Sequence, residues 1–150
     1  MDTKDRALRK IRSYQLHRSS VQAMVVVRNT LNQHGLRRST YAALSVIVEN
    51  PSIRQGQLAD VLGIDRPNIV KIIDTLEDDL LVSRENVQED RRVYALIPTN
   101  KGIKTCAQAT ASLEIVDNPL FETLSEEEIA AFQKAIKVIE KNAKRMIGQD

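Results

Sequence analysis

Two clusters of side chains in this chain have the types and spacing to read nucleic acid. In the segment from Asp65 to about Leu76, Ile69, Ile72, Ile73 and Leu76 form one helical stripe. Pro67, Lys71, Asp74 and Thr75 lie opposite, with Asn68 and Val70 on the flanks. A helix entering a major groove needs this division, a dry face against its own domain and short polar or cationic groups outward. Asn pairs bidentately with adenine, Lys reaches guanine acceptors or phosphate, and Pro67 or Val70 can meet a thymine methyl. Any amphipathic surface helix shows the same division. The second cluster is Asp90–Arg91–Arg92. A guanidinium suits the negative potential of a narrow minor groove, and a carboxylate such as Asp90 can hold Arg92 in one rotamer. A solvated turn has the same composition.

The elements that must position these groups are mostly helical. From Arg6 to about Gln33 neither Pro nor Gly interrupts an apolar pattern, and Gly35 is the expected left-handed stop. Ser39 or Thr40 can cap a second helix, which Asn50–Pro51 ends. A third, short helix runs from about Arg54 to Leu62 and stops at Gly63. Asp65 can cap the fourth, with Pro67 in its first turn, where a missing N–H costs nothing. Val82–Arg84 and Val93–Ile97 read as strands flanking the polar stretch Glu85–Arg92, hence a hairpin. A fifth helix is expected from Thr99 to Val116, broken at Asp117–Asn118–Pro119. Ser125 and Glu128 form a capping box opening a sixth, whose Ile129, Phe132, Ile136 and Ile139 make an apolar stripe. Two short helices joined by a Gly-containing turn and followed by a hairpin suit a helix-turn-helix with a wing. The fold class expected is mainly α with a small β-hairpin wing: a winged helix-turn-helix lobe at 37–98, with helical dimerisation segments from both termini at 1–36 and 99–150.

Composition narrows the function classes. The 150 residues are 42% hydrophobic and 28% charged, the balance of an ordinary globular chain. The longest apolar run, Ala23–Val27, is far short of the roughly 20 residues of a membrane helix, and no secretory leader is read at the start. The one cysteine, Cys106, cannot make an intrachain disulfide, so a reducing cytoplasm is the expected setting. No Gly-rich phosphate loop, nucleophile elbow or HExxH motif occurs, and neither catalysis nor a cofactor or metal is expected. The net charge of +2 is unevenly spread: residues 1–50 carry nine Lys/Arg against three Asp/Glu, but residues 51–100 carry six against nine. DNA binding in the middle third must therefore rest on positioned cations rather than bulk charge. The same acidic balance leaves open a protein-binding adaptor that keeps the fold without DNA contacts.

Several of these segments in register resemble the MarR family of winged-helix regulators. They are Leu58–Arg66, the Ile69–Leu76 helix, Leu80–Arg84, Asp90–Arg91–Arg92 and Thr99–Gly102, across about residues 40–105. The resemblance implies an obligate homodimer that binds double-stranded DNA at a pseudo-palindromic operator and is released by a small ligand, most often as a repressor. It makes Pro67, Asn68, Val70 and Lys71 major-groove readers and places Arg54 and Gln55 on phosphates. It also has Arg84 supporting the wing's backbone contacts and Arg92 in the minor groove, oriented by Asp90, with Arg91 counted among the DNA-binding residues of the wing. Two departures stand out: the Gly usual after the recognition helix falls at Asp79, and Ile97–Pro98–Thr99 replaces the usual entry to the fifth helix.

Effectors of such proteins sit between the dimerisation helices and the DNA-binding lobe. His17, Val21, Met24 and Arg28 share one face of the first helix, with Tyr14 a turn earlier and Arg38 and Tyr41 at the start of the second. Such a set can hold a carboxylate or phosphate beside an apolar body, which suits an aromatic or other organic acid or its acyl-CoA. His17 and Arg28 would equally make structural hydrogen bonds at a dimer seam. Arg37 and Arg38 either add phosphate contacts or face that pocket. Cys106 is read as a small buried hydrophobe, with a thiol-oxidation sensor as the alternative.

Overall fold

The computed structural model describes residues 5–87 and 90–148, and of residues 87 and 90–93 the backbone alone. Six helices and three strands follow one another: α1 (Arg12–Asn32), α2 (Arg38–Glu49), β1 (Ile53–Arg54), α3 (Gln55–Leu62), α4 (Arg66–Asp78), β2 (Val82–Val87), β3 (Asp90–Pro98), α5 (Asn100–Phe121) and α6 (Glu126–Met146). The chain divides into two compact units, Met1–Glu114 and Ile115–Asp150, with α5 running from the first into the second.

The first unit is built on one core. Leu31 and Leu36 meet Leu44 and Ile47 of α2, Leu58 of α3, Ile69, Ile73 and Leu76 of α4, and Leu96 of β3, all essentially inaccessible to solvent. Nine large aliphatic side chains withdrawn from water, at about 1.5–3 kcal/mol each, set the placement of α4 more firmly than helix propensity does. The strands form an antiparallel sheet of order β1-β3-β2. β2 and β3 pair from Val82↔Pro98 to Asn86↔Tyr94, and the register shifts between Asn86 and Val87. β1 pairs with the root of β3 through Ile53↔Leu96 and Arg54↔Ala95.

Local chemistry explains most of the boundaries. Gly35 and Gly63 take left-handed conformations, the latter closing α3. Asp65 caps α4 by accepting the Asn68 N–H at 2.9 Å. Ser125 and Glu128 form the reciprocal box at the start of α6, and those hydrogen bonds from Ser125 hold the Glu128 carboxyl below its ordinary range.

Several expectations are corrected. The first helix does not start at Arg6. A single turn at Leu8–Lys10 is followed by extended Ile11, and Asp5 folds back to pair with Arg9 and Arg18, each at 2.6 Å. α2 begins one position before the expected cap: Arg37 is the cap residue, and Thr40 Oγ1 accepts the Arg37 N–H at 2.9 Å. The strands reach beyond the expected runs, and β1 was not foreseen. α5 continues through Pro119 to Phe121, because a proline so near the end forfeits one terminal hydrogen bond rather than a helix interior. Phe121 then packs on Phe132 at a ring-centroid distance of 5.6 Å. Finally, the left-handed residue after α4 is Leu80 (φ 58°), not Asp79. The Leu80 and Leu81 N–H groups close the helix end on the Glu77 and Leu76 carbonyls at 2.8 Å, a Schellman arrangement that requires positive φ at that site.

Among the described residues no helix is long and apolar enough to cross a membrane.

Candidate nucleic-acid interface

α4 is the centre of the site. Its inner face is sealed by Ile69, Ile73 and Leu76, while Pro67, Asn68, Val70, Lys71, Asp74 and Thr75 are exposed. Asp65 does more than cap: its second carboxylate oxygen accepts from Asn68 Nδ2 at 2.8 Å. One amide hydrogen of Asn68 is thereby held inward, and its Oδ1 and second hydrogen remain for an outside partner. A carboxylate at position 74 on such a face would repel phosphate, yet Asp74 is engaged by Arg84 Nη2 at 2.6 Å. Arg84 also donates through Nη1 to Glu77 Oε2, and its backbone N–H reaches Glu77 Oε1 at 2.9 Å. Both terminal nitrogens of Arg84 are thus taken by carboxylates of α4. Arg84, expected to support the wing's backbone contacts, ties the root of β2 to α4.

Two grooves flank α4. One, of about 370 Å³, is lined by Asn68, Lys71, Ile72 and Thr75 together with Arg37, Ser39 and Thr40 from the start of α2. The other, of about 490 Å³, brings the expected Arg54 and Gln55 together with Arg66 and with Tyr94 of β3. Arg66 and Tyr94 were not singled out in the sequence. Tyr94 reaches the groove only through the β-ladder, which no local pattern announces. The side chains of Asp90, Arg91 and Arg92 lie outside the described residues; the backbone of all three belongs to β3.

A third cleft, of about 770 Å³, opens between α1 and the start of α2. His17, Val21, Met24 and Arg28 line it from α1, and Arg37, Arg38 and Ser39 from the α2 end. Tyr14 and Tyr41 stand outside it: the Tyr41 hydroxyl is 2.9 Å from Thr110 Oγ1, drawn to α5. His34 Nε2 lies 2.9 Å from Ser112 Oγ, a second polar link to α5. Cys106 is buried in α5, and burial pushes its thiol pKa up against the opposing hydrogen bonds of Thr110 and Ser45. On α6, Ile129 and Ile136 are half-buried, while Phe132 and Ile139 are 44% and 47% exposed, an apolar stripe incompletely covered within one chain.

A short helix, a glycine turn, a second helix with a sealed inner face and an antiparallel hairpin define a winged helix-turn-helix lobe. Comparison with known proteins narrows this class. Residues 34–93 match the model of the MarR family. A Thauera aromatica protein assigned as a transcriptional regulatory protein for the hcr operon is 30% identical over 116 residues, covering 77% of this chain and 70% of that one. The chain belongs to the MarR family of transcriptional regulators. Among solved structures, the transcriptional repressor CouR bound to a 23-mer DNA duplex superposes with a TM-score of 0.86 at 27% identity, covering 93% of this chain and 99% of that one. CouR bound to p-coumaroyl-CoA gives 0.83 at 25% identity, covering 93% and 98%. MarR itself gives 0.79 at 26% identity, covering 99% and 100%.

Proposed function

We propose that this protein is a ligand-responsive, homodimeric repressor. It binds a pseudo-palindromic DNA operator and leaves it when a small organic acid, or the coenzyme A thioester of one, occupies the cleft between α1 and α2. The observation that carries the reading is α4, sealed on one face and presenting Pro67, Asn68, Val70 and Lys71 on the other. In this reading those four face base edges, with Asn68 pre-set by Asp65 for a bidentate contact with adenine. Arg54 and Gln55 meet phosphates, while Arg92, oriented by Asp90, enters the flanking minor groove from the wing, with Arg91 beside it on the DNA-facing side. Residues 37–98 form the DNA-binding lobe. Residues 1–36 and 99–150 supply the dimer contacts, with Ile129, Phe132, Ile136 and Ile139 among them.

The effector class follows from the cleft's lining. Arg28, Arg38 and His17 offer an anion two cations and an imidazole, and Val21 and Met24 offer an apolar body a surface. Likeness to CouR, seen with a duplex and with p-coumaroyl-CoA, supports an aromatic acyl-CoA in that role. Burial and a raised pKa count against Cys106 as an oxidant sensor.

The test is to incubate the purified protein with sheared genomic DNA of its source near physiological salt and to sequence the recovered fragments. A few enriched sites sharing an inverted repeat, with half-sites about one helical turn apart, are expected. Uniform recovery would make the protein a non-specific DNA binder, and no recovery would favour a ligand-required corepressor or a protein-binding adaptor.

A further inference from the structure

We propose that Tyr94 and Arg66 join Arg54 in holding one backbone phosphate, where the DNA strand passes from the groove read by α4 to the groove beside the wing. The inference rests on the DNA-binding reading above and gives a role to two residues that it leaves unassigned.

Three elements converge on the groove of about 490 Å³ that these residues line. β1 contributes Arg54, which pairs with Ala95 of β3. Side chains alternate along β3, so Tyr94 shares the face of Leu96, two residues on. Leu96 is fully buried, whereas Tyr94, one step past the edge of the core, is 42% exposed. Arg66 is the first residue of α4, turned about 100° from Pro67 and about 200° from Asn68. The exposed side chains of Arg54, Arg66 and Tyr94 thus rim the groove, and buried Ile69 forms its floor.

The lining has the chemistry of a phosphate seat. Arg54 and Arg66 set two guanidiniums against the single carboxylate of Asp60, and among the described residues neither arginine makes an ion pair. Two like charges on one groove repel, and an anion between them relieves the repulsion. Tyr94 adds an O–H donor on a rigid ring, which can orient a phosphate oxygen without adding charge. Position decides which anion this is. Arg66 directly precedes Pro67 and Asn68, the base readers, and Tyr94 lies on the strand whose backbone runs on from Asp90–Arg92. A phosphate between those two sets of contacts belongs to the DNA strand that joins them. Gripping it fastens β1, α4 and β3 to one group, so this contact sets register without reading sequence.

The experiment measures anisotropy of labelled duplexes with the full chain at several salt concentrations. One is a mixed-sequence duplex of two helical turns; the other carries the inverted repeat recovered from genomic DNA. Tyr94→Phe should weaken both by the same factor, about tenfold, with the salt slope unaltered because no charge is lost. Arg66→Ala should also weaken both alike, with a slope lower by about 0.9 for each protomer bound, and Arg66→Lys should restore that slope. Asp60→Asn should tighten both about twofold. A neutral methylphosphonate walked along one half-site should weaken the wild type about tenfold at one linkage. At that linkage Tyr94→Phe and Arg66→Ala should each cost less than about twofold more. Unaltered binding by either variant, a loss confined to the inverted repeat, or full penalties at every linkage overturns the proposal while leaving the DNA-binding reading intact. A wild type that binds neither duplex overturns both.

Discussion

Replacement of Gly102 by Ala tests how the wing is mounted on the helical frame. A Cβ at Gly102 would lie 2.0 Å from the Leu81 carbonyl oxygen and 2.9 Å from its carbon, both backbone atoms. An ordinary carbon–oxygen approach is about 3.3 Å, so α5 and the turn after α4 must part by about 1.3 Å. That turn is held to α5 by the Thr99 N–H on the Leu81 carbonyl at 3.0 Å. Thr99 Oγ1 on the Leu80 carbonyl and Lys101 Nζ on the Asp79 carbonyl, each at 2.7 Å, complete the join. Stretching them forfeits two or three hydrogen bonds at roughly 1 kcal/mol each, against about 0.5–1 kcal/mol gained from Ala in a helix. The expected net loss is about 2 kcal/mol. In urea at fixed protomer concentration, with a slope of about 2 kcal/mol/M, the midpoint should fall by about 1 M. Gly56→Ala in α3 is the control: nothing lies within 4 Å of its Cβ position, and the midpoint should hold or rise by a few tenths molar. Equal shifts in the two variants, or an unmoved Gly102→Ala, would refute the close approach and with it the join between α5 and the wing root.

Other outcomes follow from the proposed function and the burial of single side chains. Lys71→Ala should lose more affinity for the operator than for random duplex in parallel titrations; equal losses make Lys71 a phosphate contact only. Arg92→Ala should cost about 1–3 kcal/mol of operator binding with the dimer intact by sedimentation, and unchanged affinity removes the wing from the interface. Phe132→Asp should shift sedimentation equilibrium toward monomer, since it places a charge in the half-covered stripe of α6; an unaltered dimer places that stripe inside the protomer. Burial raises the Cys106 pKa, so the reactive thiolate forms only at higher pH than for an exposed thiol. Iodoacetamide should therefore label the native protein far more slowly than the unfolded one at pH 8, and equal rates would contradict the buried placement.

What could be read before folding was what local chemistry determines. α4 was legible because Asp65, Pro67 and the Ile69–Leu76 stripe each point to the same helix, and the structure seals that stripe in the core. The cleft-facing set His17, Val21, Met24 and Arg28 was legible from helical spacing alone. Features set by distant partners were not. β1 has two residues and exists only because β3 passes beside it. Tyr94 joins Arg54 through that ladder. Arg84 reads as a wing cation until Asp74 and Glu77 are brought against it. Pro119 looks like a breaker but falls where α5 has almost ended. Leu80 carries no mark of positive φ; the demand comes from the Schellman closure of α4, which Gly would meet without strain.

In the proposed function, α4 and the wing read sequence as a symmetric pair. The most direct measurement is the ratio of affinities, at one salt concentration, for an inverted-repeat site recovered from genomic DNA and for the same duplex scrambled. A specific regulator should prefer its site by about 10³ or more, with two chains per duplex. A ratio near one, at any stoichiometry, would contradict the account.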